Sequence, residues 1–270
     1  MGNYSKPWVL KECRRDFNRD KRHMHISLQA ETLGTLFGLP ITNSLVLSVL
    51  TAFLLVGGGL FVAYSLKVIP NRVQGAVEVV LDGILSFMAQ TLGSMEQAKK
   101  FFPLIATIFL FILLNNWIGV LPGTGSIGFF EMEHGEKVFV PLFRSANSDL
   151  NTTFALALIS MIAIQLYGIK KLGLWGYVSK FLVFTRGPVH FFVGLLEIVG
   201  EFAKVLSFSF RLFGNIFAGE VLLIIIIGLV PLLAPFPFLL LEFFVGFIQA
   251  LVFAMLTMIF LKMAAIKVEH

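Results

Sequence analysis

One stretch of this chain places a permanent charge among apolar side chains: Leu206-Ser-Phe-Ser-Phe-Arg211-Leu-Phe-Gly-Asn215-Ile-Phe-Ala-Gly-Glu220. A guanidinium cannot shed its proton to escape burial. Arg at the centre of a membrane helix costs roughly 2.5–3.5 kcal/mol on insertion scales. A partner, a water-filled cavity or a function must offset that cost. On a helix turning about 100° per residue, Glu197, Lys204, Ser207, Arg211, Asn215 and Ala218 share one stripe within about 40° of Arg211. Glu201 and Gly219 flank the stripe at about 80°, and Glu220 falls roughly 180° away. Farther along, Glu242, Gly246 and Gln249 share a second helical face.

Two facing carboxylates in a low dielectric should not both carry charge, so Glu220 and Glu242 are suited to passing protons from the outer side. Asn215 and Gln249 can line a polar path or orient Arg211. Arg211 is then a fixed positive charge that attracts a partner carboxylate and blocks direct proton leakage. Ser207, Ala218 and Gly219 are small enough for another subunit to pass close by. The structural alternative is that Arg211 pairs with Glu197 or Glu201 to knit a bundle.

The elements that must position these groups are membrane helices. Of 270 residues, 57% are hydrophobic and 14% charged, against about 25% charged in soluble domains. The fold class is an all-α polytopic membrane protein. Apolar runs predict about five spans, over 44–66, 101–121, 150–169, 191–229 and 236–262. Residues 43–270 form the membrane domain and 1–42 a polar outer tail. Helical spacing of Val73, Val77, Val80, Ile84 and Met88, interrupted by Arg72, Glu78 and Asp82, predicts an amphipathic interfacial helix over 71–98. Gly57-Gly58-Gly59 reads as a packing site, Asp149 or Asn151 as a helix N-cap, the loop 122–149 as aqueous, and 172–190 as interfacial with Trp175, Tyr177, Lys180 and Arg186 as anchors. Prolines 231, 235 and 237 break the last apolar region into a hairpin whose two helices are too long to stand upright and are therefore strongly tilted.

Basic residues crowd the loops 67–100 and 170–190 and the C-terminus, which puts those on the cytoplasmic side and the N-terminus outside. Seven basic residues in that outer tail run against the same rule. No cleavable signal segment is expected. The net charge of +5 reads as membrane-surface charge, with no nucleic-acid partner. Cys13 stands alone, and His23 and His25 read as solvated; no metal or other cofactor is expected. No phosphate-binding glycine loop, nucleophile triad or zinc spacing is found, so a catalytic site within the chain is not expected.

The segment from Arg211 to Glu220 resembles subunit a of the F-type ATP synthase. Asn115-Asn116-Trp-Ile-Gly-Val-Leu-Pro122, Ser148-Asp-Leu-Asn151-Thr-Thr and Gln249-Ala-Leu-Val-Phe-Ala-Met-Leu-Thr are similar to other parts of that family, over roughly residues 30–265. The resemblance implies two proton half-channels separated by Arg211, which meets the ion-binding carboxylate of a rotating c-ring. It implies that Asn215, Glu220 and Gln249 line the proton path and that Glu197 and Glu201 suit the outlet. Glu242 stands where some members carry His. Implied partners are the c-ring, the b-subunit peripheral stalk, the soluble catalytic head and the lipid bilayer, in a bacterial plasma (inner) membrane. Two other readings are a free-standing ion or proton-coupled transporter, for which internal repeats are not seen, and a purely structural anchor, which leaves the buried polar set unexplained.

Overall fold

A computed structural model describes residues 31–36, 39–67, 69–121, 123–124, 127–133, 136–181, 188–230 and 233–264. The basic tail up to residue 30 with Cys13, His23 and His25, the anchor Arg186, Pro231 and the C-terminal segment 265–270 lie outside them. A short antiparallel hairpin, β1 (Thr32–Leu36) and β2 (Leu39–Thr42), leads into α1 (Asn43–Tyr64). Then follow α2 (Arg72–Leu92), α3 (Met95–Val120), a second hairpin of β3 (Gly128–Glu133) and β4 (Glu136–Pro141), and a 3-10 turn at Ala146–Ser148. The chain continues through α4 (Leu150–Leu172), α5 (Leu174–Phe181), α6 (Pro188–Leu229) and α7 (Pro235–Ala264).

Six of these helices are long and apolar enough to cross a membrane, with Phe192–Leu229 as the apolar part of α6. The sixth, beyond the five expected spans, is α2, whose charges cluster in its first half at Arg72, Glu78 and Asp82. The expected helix over 71–98 is cut at Gly93, whose φ of 73° closes α2 in the left-handed region. Ser94 then caps α3 by accepting from Gln97 N, so the second span starts at Met95 instead of 101. The loop over 122–149 is not simply irregular, since β3 and β4 pair in register from Gly128↔Pro141 to Glu133↔Glu136.

Asp149 caps α4 as its type predicts: Oδ1 accepts from Asn151 N at 3.0 Å and Oδ2 from Ser44 Oγ at 2.9 Å, which ties α4 to the start of α1. The core lies between α3, α4, α6 and α7, around Ile112, Ile164, Leu212, Ile216, Phe253 and Met258. Phe208 of α6 and Phe253 of α7 meet at 4.9 Å between ring centroids. Gly57, Gly58 and Gly59 do not pack within the described chain: nothing lies within 4 Å of the position a Cβ would take on any of them.

The proline-rich break is present as expected, with α6 ending at Leu229 and α7 opening on Pro235, where a proline is tolerated because the first helical N–H needs no partner. Helix α6 is 42 residues long without interruption. At about 1.5 Å per residue it reaches ~63 Å, twice the ~30 Å of a hydrocarbon core. It cannot stand upright across a bilayer.

Candidate functional site

The site is built on the two faces of α6. One face supplies Val205, Phe208, Leu212 and Ile216 to the core. The other is exposed and carries Ala203, Ser207, Arg211, Gly214, Asn215 and Ala218. Arg211 donates through Nη2 to Ser207 Oγ at 3.2 Å, one turn back on its own helix. It has no carboxylate partner among the described residues. The alternative pairing with Glu197 or Glu201 is ruled out by distance: ten to fourteen residues of helix separate them, roughly 15–21 Å. Neither acid can reach the guanidinium.

Asn215 turns toward α7, where Nδ2 donates to Gln249 Oε1 at 2.7 Å. Gln249 is buried, and its Nε2 has no hydrogen-bond partner among the described residues. Gly219, which flanks the outward stripe on the wheel, has a close neighbour within the chain. It faces α7, where any Cβ on it would overlap the Glu242 carboxylate. Its place about 80° from Arg211 on the wheel turns it inward, and its missing side chain makes room for the carboxylate. Glu242 is buried at 7% exposure.

Glu220 has a partner that pattern reading missed. Arg144 Nε lies 3.1 Å from Glu220 Oε1 and donates to Oε2 at 3.3 Å. Beside this pair sits a buried polar cluster. Asn147 Nδ2 donates to Asn116 Oδ1 at 2.7 Å, and Asn116 Nδ2 donates to the Gly246 carbonyl at 3.0 Å. Thr51 Oγ1 donates to Asn115 Oδ1 at 3.2 Å. Ser145 Oγ and Asn147 Oδ1 are buried without partners among the described residues. The signal was available in the sequence: Asn115 and Asn116 are buried amides deep in an apolar helix, which must find partners as surely as Arg211 must.

At the other end of α6, Glu201 is held by Lys204 Nζ at 2.7 Å and by Gln165 Nε2 at 3.1 Å. The Tyr177 hydroxyl donates to Gln165 Oε1. Lys204 Nζ also lies over the Phe260 ring of α7 at 4.9 Å. Glu197 is half-buried one turn before Glu201. No cluster of His, Cys, Asp and Glu suited to a metal occurs among the described residues.

Thus α6 separates two polar groups. Arg144, Glu220, Glu242 and the amide cluster lie toward one end, and Glu197, Glu201 and Lys204 toward the other. Arg211 stands between them with its side chain outward.

These features define an integral membrane protein of several helices, with polar groups threaded through a long hairpin. The ATP synthase A chain family matches residues 45–262. ATP synthase subunit a of Geotalea daltonii is 38% identical over 200 residues, 73% of this chain and 76% of that protein. The Geobacter sulfurreducens subunit a is likewise 38% identical over 200 residues, with the same shares covered. That of Trichlorobacter lovleyi is 35% identical over 222 residues, 82% of this chain and 86% of the relative. The chain belongs to the ATP synthase subunit a family, whose setting is the membrane sector of the synthase and its proton transport.

Proposed function

We propose that this chain is the stator of a rotary proton channel: two half-channels open to opposite sides of the membrane, and Arg211 keeps them apart. The observation that carries this reading is the outward, acid-free setting of Arg211. A guanidinium in an apolar stripe needs a counter-charge. With none in reach among the described residues, the counter-charge comes from another subunit, the ion-binding carboxylate of the c-ring. Ala203, Ser207, Gly214 and Ala218 around it leave room for a helix to sweep past.

In this mechanism a proton enters from outside through the polar region of Glu220, Glu242, Asn116 and Asn147. It passes Gln249 and Asn215 to the rotor carboxylate, whose neutralised form can leave Arg211 and enter lipid. After rotation the carboxylate meets the outlet by Glu197 and Glu201, loses its proton, and is drawn back to Arg211. Each charge crossing 100 mV supplies about 2.3 kcal/mol, so several crossings drive one ATP in the soluble head. The N-terminus lies outside and the C-terminus in the cytoplasm of a bacterial inner membrane. The b-subunit stalk holds the chain against rotation, and α2 rests at the interface.

Arg211→Lys tests the reading. Lys can lose its proton in a dry site and lacks the fork geometry. Proton-driven ATP synthesis should vanish in membranes that contain normal amounts of assembled complex. Synthesis at the unmodified rate would sink the proposal. A free-standing transporter would purify without a small carboxylate-bearing ring subunit; co-isolation with one favours the stator.

A further inference from the structure

Lys204 stands seven residues before Arg211, about 20° from it on the helical wheel and roughly 10 Å away along α6. Left free, it would be a second cation on the face that the rotor sweeps. It would compete with Arg211 for the rotor carboxylate and repel protons leaving through the outlet. The side chain does not lie there. Its ammonium is drawn back by Glu201 at 2.7 Å and rests over Phe260 of α7.

The acceptor that holds Lys204 is itself held. Glu201 uses Oε1 for Lys204 and Oε2 for the amide of Gln165 on α4. An amide can present either its NH2 or its carbonyl to a neighbour, and only the NH2 suits a carboxylate. Tyr177 on α5 supports that choice from the other end of the amide, because its hydroxyl donates to the Gln165 carbonyl oxygen. Tyr177 is buried, with its ring against Gly168, where a Cβ would overlap it. Burial, then the charges of Glu201 and Glu197, push its phenol up to about 12. It therefore stays a donor at any working pH.

We propose that Tyr177 and Gln165 are positioning residues for proton transport: through Glu201 they keep Lys204 clamped off the rotor face, so that among the described residues Arg211 is the one uncompensated cation there. Glu201 is then a fixed anchor. This inference rests on the stator reading above.

The test uses membranes carrying the complete synthase, with passive proton conductance measured after the soluble head is stripped. Tyr177→Phe keeps the ring and removes the donor. Conductance should fall roughly two- to tenfold, the worth of one hydrogen bond, with normal assembly. Adding Lys204→Gln removes the stray cation and should restore at least half of the loss. A merely structural role for Tyr177 predicts no such suppression. Gln165→Met, which keeps length but has neither donor nor acceptor, should behave in the same way and decides the matter if Tyr177→Phe lowers assembly. Wild-type conductance in both single variants, or a defect that persists in both double variants with Lys204→Gln, overturns the clamp. Arg211→Lys runs alongside: if it stays coupled, the stator reading has failed; if it is dead and suppression is absent, only the clamp has.

Discussion

Arg144 and Glu220 are 76 residues apart in sequence and 3.1 Å apart in space. The arginine is 9% exposed and the glutamate 31%, so the pair sits at the edge of the protein interior, neither free in solvent nor fully dry. It joins the segment that precedes α4 to the C-terminal third of α6, next to the amide cluster.

Removing Arg144 leaves Glu220 unpaired beside Glu242, so Arg144→Gln should be worse than its double with Glu220→Gln. A double-mutant cycle on thermal stability of the detergent-solubilised complex should give a coupling of roughly 1–2 kcal/mol. Additive effects would mean that the pair holds nothing together. Proton-driven ATP synthesis should fall in both single variants.

Gly219 and Glu242 are a second coupled pair. Gly219→Ala drives a methyl into the carboxylate. That carboxylate is the far end of a flexible side chain and can swing aside, so assembly should hold while the displaced Glu242 lowers proton transport. Proton conductance of membranes stripped of the soluble head should fall in Gly219→Ala with normal amounts of complex. Unchanged conductance would show that the position of the Glu242 carboxylate does not matter.

The bond from Asn215 to Gln249 is the direct polar link between the hairpin helices closest to Arg211. Asn215→Leu removes the donor and leaves the buried Gln249 carbonyl oxygen without one. Leaving such a group unsatisfied costs about 1–3 kcal/mol. The melting temperature should drop, and should rise again in Asn215→Leu/Gln249→Leu, while proton conductance stays low in both. Equal melting temperatures for all three would remove the bond from the account.

Local pattern carried the helices, and geometry carried the rest. The apolar runs, Asp149 before α4 and the prolines before α7 mark helix boundaries by short-range chemistry, and the structure has them. The split at Gly93-Ser94 was readable too, since a glycine followed by a capping serine ends one helix and starts another, but the continuing apolar periodicity hid it. The two β-hairpins lack alternation strong enough to declare them. Within the site, the wheel found the outward stripe because helical spacing is a local property. It set Gly219 off that stripe, but could not show that Glu242 on another helix fills the space beside it. Arg144, Asn147 and Tyr177 were out of reach for the same reason: each matters through a residue at least twelve positions away, which no periodicity reveals.

The unbroken course of α6 fixes a distance that no loop movement can alter. Glu201 and Glu220 are nineteen residues apart on one rigid rod, so about 28 Å of helix separates them, close to the ~30 Å thickness of the oil layer. Any tilt of the rod shortens that distance in projection and draws both acids inside the oil. In the proposed mechanism water then comes to each of them from its own side, and the helix acts as a ruler that sets how far apart the two wells are sunk.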